Sequence, residues 1–101
     1  MDSTLLCLYS RKGCCLCEGL EKKLRNLPLM ELTPPIELYV KDIDDPDVSK
    51  EDKIRYTFEV PILVLDLKQN SGNNVQLPRV APRLKEELLL MWLQKQLNNY
   101  F

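Results

Sequence analysis

A chain of 101 residues, 45% of them hydrophobic and 29% charged, is long enough to bury its own core as a single domain over 1–101 and too apolar to stay disordered. A formal net charge of −1 lacks the basic excess of a general nucleic-acid binder, and no apolar run reaches the roughly 18 residues of a membrane span. With no histidine in the chain, Cys–His nucleophilic catalysis and the common mixed zinc sites are removed.

The first element is "TLLCLYS" (4–10), preceded only by "MDS". It begins behind an acid and is too short for a secretory h-region, so a cytoplasmic protein is expected. The run reads as a buried strand, which "RKG" then breaks. From Cys15 onward, Leu16, Leu20, Leu24 and Leu27 recur at helical spacing, predicting a first helix over 15–27. Pro28 ends it, and "TPP" (33–35) forms a linker. In "IELYV" (36–40), Ile36, Leu38 and Val40 alternate inward as a second strand.

Ser49, with Asp52 three positions on, resembles a weak capping signal and predicts a short helix over about 49–57. "VPILVLD" (60–66) is a third strand with proline at its start. "KQNSGNN" (68–74) is turn chemistry for a hairpin, and "VQL" (75–77) supplies a fourth strand. A helix over 83–97 closes the chain, with Leu84, Leu88, Met91 and Trp92 on one face. The order is β-α-β-α-β-β-α. Its βαβ start requires a parallel pair with a right-handed crossover, and the hairpin adds an antiparallel neighbour. The expected fold is α/β, a mixed four-stranded sheet with helices on both faces.

Cys14, Cys15 and Cys17 crowd the junction of the first strand and first helix. In a reducing compartment, thiols so placed point to catalysis or metal rather than to staples. The first turn of a helix carries unpaired N–H groups and partial positive charge. A Cys14 thiolate is stabilised there, below the free thiol pKa of about 8.5. Cys17 lies on the same side, within reach of a disulfide. The pair can therefore cycle between dithiol and disulfide, with Cys14 the exposed nucleophile and Cys17 the buried resolving thiol.

Cys7, inside the first strand, reads as a small core hydrophobe, and Cys15 as a neighbour pointing away from the pair. Thiolates also suit soft metals, so a metal or iron–sulfur carrier using Cys14 and Cys17 is the non-enzymatic alternative. A redox-inert binding adaptor is a third. Charge is locally uneven. Residues 11–25 are basic, with Arg11 and Lys12 biasing the cysteine turn toward anions, whereas residues 41–53 hold six acids against three lysines.

With strand, C-x-x-C, helix and Val60-Pro61 in this order, the chain resembles the thioredoxin superfamily, and "LYSRKGCCLC" is similar to the glutaredoxin pattern. The C-x-L-C form looks especially like small glutaredoxin-like proteins. The resemblance implies a three-layer thioredoxin-like fold, with Cys14 at the nucleophile position and Cys17 at the resolving one. It places Arg11 at the basic position that meets a substrate carboxylate, and Val60-Pro61 at a cis-proline step bordering the substrate. It implies a dithiol–disulfide oxidoreductase with no bound cofactor, acting on disulfide-containing proteins. A reducing partner, glutathione or a reductase, would recharge it.

Three features depart from the pattern. The intervening dipeptide is Cys15-Leu16, and "TLLCLYS" lacks the buried acid of thioredoxins. Where glutaredoxins carry Gly-Gly before the last helix, this chain has "LPRVAPRL" (77–84), in which Pro78 and Pro82 remove backbone donors. Arg79 and Arg83 are cations available there. Glutathione-coupled reduction is therefore the second enzymatic reading, behind reduction of protein disulfides.

Overall fold

A computed structural model of the chain describes residues 4–56, 59–67, 73–81 and 83–100. In β1 (Thr4–Ser10) alternate side chains take opposite faces of the sheet: Thr4, Leu6 and Leu8 are buried on one, while Leu5, Cys7 and Tyr9 lie on the other. β1 runs parallel to β2 (Ile36–Asp42), with Leu6 opposite Leu38 and Leu8 opposite Val40. It runs antiparallel to β3 (Ile62–Leu67), with Leu6 opposite Leu65 and Leu8 opposite Leu63. β3 in turn pairs antiparallel with β4 (Asn73–Gln76), giving the sheet order β2-β1-β3-β4. Leucine thus meets leucine or valine across the central strands, which fixes the register. A slip of one residue would turn these side chains onto the wrong face.

Among the described residues three helices complete the order that the sequence predicts: α1 (Cys15–Asn26), α2 (Lys50–Tyr56) and α3 (Glu86–Tyr100), with a 3-10 turn at Leu29–Glu31 after α1. α1 stops at Leu27, whose extended backbone (φ −85°, ψ 148°) is what the following Pro28 demands. α2 starts after Ser49, whose Oγ accepts from the Asp52 N–H at 3.1 Å, so the capping signal is used. α1 and α3 cover one face of the sheet through Leu20, Leu24, Leu89, Leu93 and Leu97. α2 covers part of the other face through Tyr56, against Ile43, Ile62 and Val64. The Tyr9 and Tyr56 rings lie 5.0 Å apart on that side. The result is the expected three layers around a mixed sheet. The linker before β2 is tied to α3: the Thr33 N–H donates to Gln94 Oε1 (3.0 Å) and Gln94 Nε2 donates to the Thr33 carbonyl (2.9 Å). Among the described residues, no helix is long and apolar enough to cross a membrane.

Two expectations are corrected. Asn73 and Asn74 belong to β4, opposite Leu67 and Asp66, rather than to the hairpin loop; residues 68–72 lie outside the described residues. The last helix begins at Glu86, not 83, and Leu84 precedes it in a turn closed by its own N–H on the Ala81 carbonyl (3.1 Å). Its buried face is Leu89, Leu93, Gln96 and Leu97, whereas Leu88 and Met91 are 51% and 67% exposed. The cause lies in the run from Leu88 to Leu93, which is apolar at every position and so fits several helical phases. Only the phase through Leu89 and Leu93 continues with apolar side chains, at Leu97 and Tyr100. The alternatives run into Lys95, Asn98 and Asn99.

This phase is open to direct test. Leu93→Ala should lower unfolding free energy by about 2–5 kcal/mol, the range for a deleted core leucine. Met91→Ala should stay within about 0.5 kcal/mol. Urea denaturation of both variants measures the difference, and equal losses would contradict the assigned face.

Candidate active site

The site is built where β1 stops and α1 starts. Arg11, Lys12 and Gly13 turn the chain, and the turn closes with the Cys14 N–H on the Arg11 carbonyl (3.1 Å). Gly13 sits at φ +79°, a left-handed conformation that an L side chain adopts only at a cost of about 1–2 kcal/mol. A Cβ on Gly13 would meet nothing within 4 Å, so backbone conformation, not space, favours glycine here.

Cys14 then serves as the N-cap of α1. Its backbone is extended (φ −87°, ψ 102°), its carbonyl accepts the Glu18 N–H (3.1 Å), and its Sγ accepts the Cys17 N–H at 3.1 Å. A sulfur thus fills the place usually taken by a Ser, Thr, Asp or Asn oxygen. Negative charge on that sulfur is favoured both by the donated N–H and by the positive end of the helix. Cys17 is 1% exposed and disulfide-bonded to Cys14, the two Cα atoms 5.2 Å apart. That separation lies inside the ordinary range for a disulfide. Cys14 is half-buried, so of the two it is the more exposed residue.

The remaining cysteines separate as the sequence predicts. Cys15 is exposed and unbonded, and Cys7 is a half-buried free thiol under the second core cluster. Burial pushes the Cys7 thiol up, against the opposing charge of Lys41 and a hydrogen bond with Tyr9. Burial is also the main cause that pushes the Tyr9 phenol up to about 12. Burial thus disfavours the charged form of both groups. Among the described residues, no group of three or more Cys, Asp or Glu side chains is placed to hold a metal ion.

The other residues that the sequence singles out are placed as follows. Lys12 is exposed. The Val60–Pro61 peptide is cis, and Pro61 lines an open cleft of about 630 Å³ together with Cys15, Leu16, Lys23, Val80 and Leu84. A second cleft of about 530 Å³ shares Leu20, Pro61, Arg79 and Val80 with the first. Pro61 therefore stands between two hollows beside the cysteine segment. The Lys23 Nζ donates to the Leu84 carbonyl (2.9 Å), tying α1 to the wall opposite. Pro61 is a sequence candidate, whereas Lys23, Val80 and Leu84 are cleft residues that the sequence does not mark as such. Their signal is the exposed Leu16 inside the C-x-x-C and the apolar side chains of "RVAPRL".

Arg11 is not an isolated cation. Its Nε and Nη2 both donate to Asp44, at 3.0 Å to Oδ2 and 3.0 Å to Oδ1. The hydrogen bond with Asp44 raises the Arg11 pKa, and the same bond holds the Asp44 carboxyl below the usual carboxylate range. Sequence reasoning marked both the basic and the acidic segment but did not pair them.

A family model described as "Glutaredoxin-like domain (DUF836)" matches residues 5–94. No curated protein is similar enough to match. Among solved structures, the chain is similar to target protein XcR50 from X. campestris, at 22% identity and a TM-score of 0.51, over 89% of this chain and 96% of that one. It is also similar to a thioredoxin from Thermus thermophilus, at 15% identity and a TM-score of 0.64, over 94% of this chain and 74% of that one. The first thioredoxin domain of mouse Protein disulfide-isomerase A4 matches at 16% identity and a TM-score of 0.63, over 93% of this chain and 63% of that one. These likenesses show a thioredoxin fold.

The cap geometry has a chemical consequence. In the reduced protein at pH 7, Cys14 should react with iodoacetamide on the order of tenfold faster than the exposed Cys15, as a stabilised thiolate does beside an ordinary thiol. Cys7 and Cys17 should be spared. Timed alkylation followed by peptide mass mapping reads all four sites at once, and a faster Cys15 would contradict the assignment.

Proposed function

The chain belongs to the family of glutaredoxin-like domains (DUF836), and on that premise we propose that it is a thiol–disulfide oxidoreductase acting on protein disulfides. The observation that carries this reading is the cap: Cys14 Sγ takes the Cys17 N–H at 3.1 Å while bonded to the buried Cys17 sulfur. On this reading Cys14 is the stabilised nucleophile and Cys17, already bonded to it, the resolving partner.

The reaction needs no bound cofactor. The Cys14 thiolate attacks one sulfur of the substrate disulfide. A Cys14–substrate disulfide forms, and the other substrate sulfur leaves as a thiolate that takes a proton from water. Cys17 then loses its proton to solvent and attacks Cys14 Sγ. This releases the second substrate thiolate and leaves the Cys14–Cys17 disulfide, the state held in the structure. The protein loses two electrons and the substrate gains them; each departing substrate thiolate takes its proton from water, and the protons that Cys14 and Cys17 give up in ionising pass to solvent. A reducing partner, glutathione or a reductase, restores the dithiol by the reverse exchange.

The surroundings favour a protein substrate. Arg11 and Lys12 precede the attacking sulfur in sequence, and Pro61 lines the cleft together with Cys15 and Leu16. The cleft walls, Leu16, Val80 and Leu84, are apolar and suit a side chain next to the substrate cysteine. Arg79 lines the cleft and Arg83 is exposed near it, but neither replaces the backbone donors that Pro78 lacks.

Two sets of variants test the reading. Cys14→Ser should abolish reduction of a reporter protein disulfide, whereas Cys17→Ser should accumulate a mixed disulfide visible by intact mass. Equal residual activity in the two would overturn the division of roles. Leu16→Asp should raise KM for the protein reporter several-fold while leaving the rate with a small, neutral disulfide near the parent value. Parallel loss on both substrates would argue against the cleft as a protein-binding feature.

A further inference from the structure

We infer that Asp44 sets the charge preference of this site, by engaging Arg11 and so withholding a cation from disulfides that carry carboxylates. The inference rests on the oxidoreductase reading above and deepens it by naming the disfavoured substrate class.

The argument begins with where the two residues come from. Ser10 and Asp42 end β1 and β2 opposite each other in parallel register. The chain beyond β1 becomes the turn that delivers Cys14. The chain beyond β2 is held at its start by the Ile43 N–H on the Ser10 carbonyl (2.9 Å), and Asp44 is held by its own N–H on Asp42 Oδ1 (2.9 Å). An acidic loop is thereby fixed beside a basic turn.

The pairing is two-pronged. Arg11 presents its Nε–Nη2 edge, and both oxygens of Asp44 accept from it at 3.0 Å. This is the fork geometry in which guanidinium recognises carboxylate most effectively. An incoming substrate carboxylate must therefore displace Asp44 or use the remaining edge against Asp44's charge. Asp42 adds a second negative charge acting on Arg11. Arg11 is linked to the nucleophile through its own carbonyl, which accepts the Cys14 N–H. Arg11 and Lys12 put two positive charges on the turn that precedes Cys14, and Asp44 engages the first of them while Lys12 stays exposed. Asp44 is a positioning residue in this account: it acts through Arg11 and does not touch the reacting sulfur.

The test uses the full chain with Asp44→Asn, Arg11→Gln and the double variant. Asp44 is exposed, and the backbone bond that folds its loop does not involve its side chain, so Asn preserves the loop. Each reduced protein is mixed with glutathione disulfide, which is carboxylate-rich, and separately with 2-hydroxyethyl disulfide, which is neutral. The readout is the ratio of the two oxidation rates, in which any general change in Cys14 reactivity cancels.

Asp44→Asn should raise that ratio about three- to tenfold at low salt, the scale of one exposed charge-assisted contact. The gain should vanish in the double variant and fade near 0.5 M NaCl, roughly where screening becomes short-ranged. An unchanged ratio, or a gain that survives Arg11→Gln, would overturn the inference while leaving the oxidoreductase reading intact. If neither disulfide oxidises the parent protein, that reading fails instead. Binding of S-methylglutathione to the oxidised proteins, followed by NMR titration, then decides the inference alone. Tighter binding by Asp44→Asn that is lost in the double variant supports it, and equal binding overturns it.

Discussion

A helix must satisfy the N–H groups of its first turn, and here one of them is satisfied by sulfur. That single constraint organises the site. The capping position requires an acceptor side chain folded back over the first turn, which brings Cys14 Sγ to the N–H of residue 17. Residue 17 is then the natural partner for a disulfide, because the cap has already aligned its backbone with the sulfur. Its side chain is buried with the inner face of α1, alongside Leu20 and Leu24. Cys15 and Leu16 are turned outward by the same helical geometry and become cleft wall. The half-buried and the buried cysteine are separated by one turn of helix.

The central strand supplies the second layer of control. β1 is flanked on both sides, so its end point is well defined, and the turn that follows has a fixed origin. Because its partner β2 is parallel, the loops leaving both strands emerge at the same edge of the sheet. Basic and acidic segments more than thirty positions apart in sequence therefore meet. The local charge at the cysteines follows from this meeting rather than from Arg11 and Lys12 alone. An exposed pair of this kind adds little to stability, and its larger effect is on which charges remain available to a visitor.

The sequence discloses these features unevenly, for physical reasons. Alternation in "TLLCLYS" and "IELYV" and the leucine spacing of α1 are read directly, since one buried face leaves a regular mark. The Cys14–Cys17 pair is equally plain, because the strand–turn–helix context gives the spacing meaning. The phase of α3 is not legible: six successive apolar residues leave the helix free to bury any side, and the choice is made by Leu97 and Tyr100 at its far end. Strand β4 is misread for the opposite reason. Asn73 and Asn74 have turn chemistry, yet they pair with Leu67 and Asp66 because the ladder from β3 continues through them. The Arg11–Asp44 pair depends on strand register, which no local pattern states. Once Ser10 is set opposite Asp42, however, the encounter is nearly forced.

The segment from Leu77 to Leu84 shows how a departure in sequence becomes a change in surface chemistry. A backbone that is to hold an anion must offer N–H groups, and proline at position 78 has none. The side chains here do other work. Leu77 enters the core and its N–H continues the sheet by donating to the Leu63 carbonyl (2.8 Å). Val80 and Leu84 face Leu16 and Lys23 across the cleft, and the Lys23 Nζ satisfies the Leu84 carbonyl at its rim. Leu16, Val80 and Leu84 thus give the cleft an apolar wall, with Lys23 and Arg79 also lining it. On the proposed reading, this wall and the Arg11–Asp44 pair are separate features, built from different loops, and each bears on which disulfides reach Cys14.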